Sequence, residues 1–165
     1  MSLEQITREE ATKLQLRLAK SDTIANMSYS LIAGTLLDLL SGLTLAGTIT
    51  NRINGQIASA LTGRPYGWWR EKWYSFCHTT KESTNTRIYF TDLAASNTFN
   101  TPLYTGIVAI ATYISEGEIN TRSVLRALVC ATVTSPLVAP SIGYWMDYCR
   151  KLFHLPTAKE MTKNI

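Results

Sequence analysis

The sequence is poor in cysteine and histidine, and their placement argues against several classes of protein. Among its 165 residues are three cysteines, Cys77, Cys130 and Cys149, which have neither CxxC spacing nor the even count of a disulfide framework. The two histidines, His78 and His154, lie in basic connectors without the spacing of metal ligands. No nucleophile–base pair or phosphate-binding glycine loop occurs. We therefore expect no metal, no cofactor and no enzymatic activity.

Charge is also scarce, and it is unevenly placed. Charged residues make up 17% of the chain, against about 25% in soluble proteins. Residues 93–115 and 127–146 carry no charge, and residues 23–63 carry only Asp38 and Arg52. A helix crosses the ~30 Å hydrocarbon core of a membrane in about 20 residues, so each zone is long enough to span it. The alternative is a set of buried helices in a soluble all-α protein.

These zones predict an all-α, polytopic membrane protein with four transmembrane helices. The transmembrane domain covers residues 22–147, after an amphipathic segment, 1–21, with a Thr7–Glu10 capping box, and before a basic tail, 148–165. The first helix is expected to end at a Ser41-Gly42 turn. The four predicted spans run from Asp22 to about Leu40, from about Gly47 to Trp68, from Asp92 to Ser115, and from about Arg122 to Asp147.

Lysine and arginine predict the orientation of these spans. Thirteen of them lie in the amino-terminal segment, in the 64–87 connector and in the tail, whereas the two outer connectors hold only Arg122 and Arg126. By the positive-inside rule, both termini are expected in the cytoplasm. The basic residues do not line one face of a periodic element. The expected partner is therefore the lipid bilayer and not nucleic acid.

The chain also contains matching segments, which predict two parallel two-helix repeats. Spans one and three open alike, with Ser21-Asp22 matching Thr91-Asp92. Spans two and four end alike, with Gly67 matching Gly143 at a slightly larger separation in sequence. Four short spans enclose little volume, so we expect a homo-oligomer, and small residues allow close helix packing within one chain or between copies. The residues predicted to pack helices are Gly63, Gly67, Ala139 and Gly143.

Four segments resemble a known family, the bacterial inner-membrane L-alanine exporters, or AlaE family. They are SDTIA at the start of span one, RPYGWWREKW over Arg64–Trp73, the segment from Asp92 through TFNTPLY, and GYWMDYCRKLF over Gly143–Phe153. The resemblance covers about residues 21–153 and includes an arginine at Arg52. The family's fourth span carries a GxxxG pattern, whereas here Ala139 and Pro140 precede Gly143. The proline predicts a kink at this helix crossing.

The resemblance implies a four-span secondary transporter that exports L-alanine in exchange for protons. The alternative is a non-transport membrane protein, such as an accessory or assembly subunit. Polar residues in spans one and three are expected to face a substrate or proton path, because polar side chains at membrane depth are costly elsewhere. Those residues are Asn26, Asn97, Thr98 and Asn100.

Further candidates are charged residues. Asp22 and Asp92 are expected to accept the substrate ammonium and to carry protons, since a carboxylate in a partly dry site binds a proton more readily; both could instead cap helices. Arg52 is expected to bind the substrate carboxylate, or to pair with Asp38. Asp147 and Arg150 are predicted to form an ion pair at the inner interface of the membrane.

Overall fold

The computed structural model describes residues 3–40, 45–119 and 121–162, and over these ranges the chain is helical, with no strand. The all-α prediction is confirmed. α1 packs mainly on α2 and α3 mainly on α4, while contacts of α1 with α4 and of α2 with α3 close the bundle. The five helices of these ranges are α1 (Leu3–Leu40), α2 (Leu45–Phe76), α3 (Asn85–Glu116), α4 (Thr121–Leu152) and the short α5 (Ala158–Met161), which contacts α2.

The helices start earlier than the charge-free zones predict. α1 is continuous from Leu3, so Thr7 lies inside it and the predicted capping box is wrong. α3 begins after the N-cap Thr84, whose hydroxyl accepts a hydrogen bond from the backbone N–H of Arg87 at 3.3 Å. Asp22 and Asp92 are therefore interior helical residues, and the interpretation of both as N-caps is wrong. The predicted Ser41-Gly42 turn lies outside the described residues.

Two prolines interrupt the hydrogen bonding of α4 without ending the helix. Pro140 has no N–H to donate to the carbonyl of Pro136, and the hydroxyl of Tyr89 on α3 donates to that oxygen instead, at 3.1 Å. Pro136 likewise offers no N–H to the carbonyl of Thr132, which accepts from the hydroxyl of Ser135 at 2.9 Å. Side chains thus replace both missing donors.

α2 and α4 end in the same way, at histidines that match each other in the sequence as Gly67 matches Gly143. His78 and His154 adopt left-handed φ angles of 48° and 53°. In each case the N–H of the next residue donates to the carbonyl five positions back at 2.8 Å, as in a Schellman motif. The two helix ends are therefore structurally equivalent.

The bundle carries large apolar side chains on its outer surface. One stretch of the described residues, Val124–Leu152, is long and apolar enough to cross a membrane by length and composition alone. Only 18% of the window that passes this test is buried in the chain. On α4 Leu137 is 81% exposed, and on α2 Leu61 is 74% exposed. Large apolar side chains of both helices thus face the surroundings of the chain.

Candidate functional site

Charged side chains meet inside the bundle in two adjacent clusters, each with two cations and two anions. Cluster A consists of Asp22, Arg64, Glu71 and Arg150. Cluster B consists of Arg70, Asp92, Asp147 and Lys159. Each cluster is formally neutral. Buried charges are tolerated in a protein when they are paired and hydrogen-bonded in this way.

In cluster A, a bidentate pair joins the first and last long helices. Arg150 donates from Nε and Nη2 to the two carboxylate oxygens of Asp22 at 2.7 and 2.8 Å, and from Nη2 to Glu71 at 2.6 Å. Arg64 donates from Nη1 to Asp22 at 2.8 Å and to Glu71 at 2.9 Å. The side chains of Asp22 and Arg150 are at most 1% exposed. This geometry fixes the carboxylate of α1 between α2 and α4.

In cluster B, one arginine of α2 holds two carboxylates. Arg70 donates from Nε to Asp92 Oδ1 at 2.7 Å and from Nη1 to Asp147 Oδ1 at 2.7 Å. Its Nη2 lies 3.2 Å from the hydroxyl of Tyr74. Lys159, from α5, contacts Asp147 at 3.4 Å. The side chain of Arg70 is 1% exposed, so solvent cannot take the place of its carboxylate partners.

The helix pairs α1–α2 and α3–α4 exchange arginines: each pair contributes one arginine that binds the carboxylates of the other pair. Arg150, from the second pair, binds the two carboxylates of the first pair, and Arg70, from the first pair, binds the two carboxylates of the second. Glycines make room for the aspartates: a Cβ on Gly67 would overlap the carboxylate of Asp22, and one on Gly143 would lie 2.6 Å from that of Asp92. The aspartates and the glycines that face them are the matching positions of the sequence repeat.

Two tryptophans make a second reciprocal contact. Trp69 donates from Nε1 to the hydroxyl of Thr98 at 3.0 Å, and Trp145 donates to the hydroxyl of Ser28 at 2.9 Å. The tryptophans are separated in sequence as Gly67 and Gly143 are, and the hydroxyl residues as Asp22 and Asp92 are. Each helix pair thus binds the other through the same types of group at matching positions.

The remaining predicted residues fall into different environments. Asn26 donates to the carbonyl of Ser59 at 2.9 Å and is buried between α1 and α2. Arg52 donates from Nη1 to the carbonyl of Ser30 at 2.7 Å. The alternative pair of Arg52 with Asp38 involves a side chain outside the described part of the chain.

Asn97 and Asn100 line a cavity of about 400 Å³ between α3 and α4, whereas Thr98 binds Trp69. Among the described residues that line this cavity, neither of the two aspartates occurs. The structure therefore places Asp22 and Asp92 in buried charge clusters, and Asn97 and Asn100 at an uncharged cavity.

The predicted ion pair of Asp147 with Arg150 is replaced by two other pairings. Asp147 binds Arg70 and Lys159, and Arg150 binds Asp22 and Glu71. Asp147 and Arg150 lie one turn apart on one helix, which permits contact, but each side chain reaches a partner of opposite charge on another element at 2.6–3.4 Å.

Sequence analysis missed the roles of Arg70 and Glu71, because it placed both in a connector. They lie on α2, which continues to Phe76. A helical signal for Arg70 was available: Gly63, Gly67, Arg70 and Tyr74 recur at spacings of three and four, which places them on one face of a helix.

In the tail, a carboxylate accepts a hydrogen bond from the nearby backbone. The carboxylate of Glu160 accepts a hydrogen bond from the backbone N–H of Thr157 at 3.0 Å. This bond favours the ionised form and lowers the pKa of Glu160 below its usual value. Thr157 and Leu155 are buried, so the chain after α4 is packed against the bundle.

Apolar side chains on the outside of a helical chain and neutralised charge pairs on its inside are typical of α-helical membrane proteins. Comparison with known proteins gives the family. The family described as AlaE, L-alanine exporter, matches residues 10–156, and the chain belongs to that family. The resemblance inferred from four short segments is thus confirmed over most of the chain.

The chain aligns with its relatives over nearly their whole length. The chain is 27% identical to the L-alanine exporter AlaE of Yersinia enterocolitica, over 88% of this chain and 95% of the relative. It is 27% identical to the protein of the same name from Musicola paradisiaca, over 86% and 90% of the two chains. With that from Escherichia coli, the identity is 26% over 84% and 89%. No solved structure matches the chain significantly.

Proposed function

We propose that this protein exports L-alanine across the bacterial inner membrane as a secondary transporter. The observation that carries the proposal is the family match over residues 10–156, together with relatives named L-alanine exporters of which 89–95% is covered. An accessory subunit is not favoured, because the chain matches nearly the whole length of proteins that carry the exporter name.

We further propose that each of α1–α4 contains one membrane span and that the four spans form two parallel repeats, with both termini in the cytoplasm. The excess of lysine and arginine in three of the five non-spanning regions supports the orientation. The repeat is supported by the equivalent aspartate–glycine contacts within each half and by the reciprocal tryptophan–hydroxyl contacts between the halves, both of which involve matching positions. Parallel repeats are related by an axis along the membrane normal.

In this proposal, Asp22 and Asp92 carry the protons that drive export. Each shares an arginine with a second carboxylate, Glu71 for Asp22 and Asp147 for Asp92. When one aspartate takes up a proton, its arginine remains bound to the second carboxylate. The arginine therefore keeps a counter-charge among the helices. Protonation therefore weakens a link between the helix pairs.

Loss of that link gives the two helix pairs freedom to rock against each other. Arg70 joins α2 to α3 and Arg150 joins α4 to α1, and these are the contacts that close the bundle. Alternating access in repeat transporters is rocking of one repeat against the other. A second copy of the chain, packed through apolar outer faces, would complete the path for L-alanine.

The proposal is tested by alanine accumulation in cells fed an alanine-containing dipeptide. In a strain without its own alanine export, expression of this chain should lower intracellular L-alanine, and dissipation of the proton gradient should abolish the effect. The control is an empty vector. Unchanged alanine in cells whose membranes contain the protein would exclude export of this substrate.

A further inference from the structure

Arg52 fills the space between α1 and α2. Its Nη1 donates to the carbonyl of Ser30, and a Cβ built on Gly34 would overlap the guanidinium. A Cβ on Gly55 would touch the same group at 3.8 Å. Two glycines and a helix carbonyl therefore surround a cationic group that belongs to the chain itself.

The described part of the other helix pair holds no such cation in the corresponding space. By the match of Gly67 to Gly143, Arg52 corresponds to Leu128, an apolar residue that is 40% exposed. The surroundings of Arg52 correspond to three residues that line the cavity between α3 and α4: Asn100 for Ser30, Tyr104 for Gly34 and Ala131 for Gly55. Where one helix pair holds a guanidinium, the other has about 400 Å³ of space.

The described walls of the cavity are mostly apolar, carry several hydrogen-bond acceptors and contain no charged residue. Thr134 and Ser135 donate their hydroxyl protons to carbonyls of α4 at 2.8 and 2.9 Å, so their oxygens are left to accept. Asn100 donates an amide N–H to Ser96 at 3.0 Å, which leaves its amide oxygen as an acceptor. These three oxygens suit a group with several donors and no acceptor, which is the character of a primary ammonium.

We infer that the α3–α4 cavity binds the ammonium of the transported amino acid, at the place that corresponds to the Arg52 guanidinium of α1–α2. The inference rests on the proposed function for the identity of the amino acid, and it goes beyond that function by assigning a site. Leu103 and Ile107 supply an apolar wall for a small side chain. Arg52 occupies the equivalent space in the first helix pair, so the site belongs to the second helix pair alone.

A cysteine of the native chain provides the first test. Cys130 is exposed and lines the cavity, whereas Cys77, in the connector, is only partly exposed and lies outside it. L-Alanine should slow the alkylation of Cys130 by N-ethylmaleimide in the purified protein and leave that of Cys77 unchanged. Propionate, which lacks the ammonium, should protect neither. Protection by propionate equal to that by L-alanine, or no protection by any primary amine, would overturn the inference.

Paired threonine variants provide the second test. Thr134 and Thr132 are both exposed and both back-bonded to α4, but only Thr134 lines the cavity. Thr134→Val removes an acceptor for the ammonium and should raise the Kd for L-alanine about tenfold. Thr132→Val, the matched control, should leave it unchanged. Equal effects of the two substitutions would contradict the site.

Leu128→Arg tests the correspondence with Arg52 directly. A guanidinium at this position should occupy the cavity and abolish both export and protection of Cys130, whereas Leu128→Met should retain them. Normal L-alanine export by Leu128→Arg would overturn the site and leave the proposed function standing. Protection of Cys130 by other primary amines but not by L-alanine would support the site and overturn the proposed substrate.

Discussion

Asp92→Asn separates a proton-carrying role from a structural one. The substitution removes one charge from cluster B and leaves Arg70 with two hydrogen bonds to Asp147, at 2.7 and 3.2 Å. The asparagine oxygen can still accept from Arg70 Nε, so the cost is the charge-assisted part of one bond, about 1–2 kcal/mol. For a chain of this size that corresponds to a fall in Tm of about 2–8 °C. The variant should therefore fold and reach the membrane.

Export should nevertheless be lost, because an asparagine cannot take up and release a proton. The assay is intracellular L-alanine in dipeptide-fed cells, with membrane levels and melting in detergent measured on the same variant. Arg70→Ala is the contrasting variant: it leaves Asp92 and Asp147 buried without their arginine, which costs about 3–5 kcal/mol and should reduce the amount of folded protein. Proton-dependent export by Asp92→Asn at the wild-type rate would refute the role of Asp92 and transfer it to Asp22.

Three further predictions concern topology, packing and the tail. A cysteine placed at Gly117 should react with an impermeant maleimide added to intact cells, whereas Cys77 should not; labelling of Cys77 would reverse the orientation. Gly67→Ala should lower stability by about 1–3 kcal/mol, because the methyl group overlaps an aspartate carboxylate, while Gly106→Ala, with nothing of the described chain within 4 Å, should not; equal melting temperatures would contradict this packing. Because the pKa of Glu160 is lowered, its contribution is present above the usual glutamate pKa and is lost as pH falls through the lowered value. Glu160→Gln should therefore melt below wild type at pH 7, and the gap should narrow as the pH is lowered past the usual glutamate pKa; a gap unchanged by pH would refute this.

The helical fold could be predicted from where charge is absent, but the helix ends could not. The length of an uncharged segment indicates how much of a helix can lie in the hydrocarbon core of a membrane. The helix itself can continue beyond that segment, because charged residues such as lysine, arginine and glutamate also favour helical structure. α2 therefore runs on through Arg70 and Glu71, which a hydropathy argument assigns to a connector.

The pairing of charges was also beyond the sequence. Periodicity places residues on a face of one helix, and it made Asp147 and Arg150 neighbours on α4. Which arginine meets which carboxylate depends on how far each helix is rotated and where it crosses the next, and the glycines beside Asp22 and Asp92 fix those crossings. The matching positions of the two halves were visible in the sequence, but the exchange of arginines between the helix pairs was not.

That exchange has a consequence for biogenesis. During synthesis, α1 and α2 leave the ribosome before Arg150 has been made. Until α4 is synthesised, Arg64 is therefore the one cation of cluster A that can pair with Asp22 and Glu71. The carboxylates that bind Arg70 are likewise synthesised later, on α3 and α4. Neither half of the polypeptide can complete its own interior. Fragments cut between α2 and α3 should persist in the membrane only when both are made in the same cell.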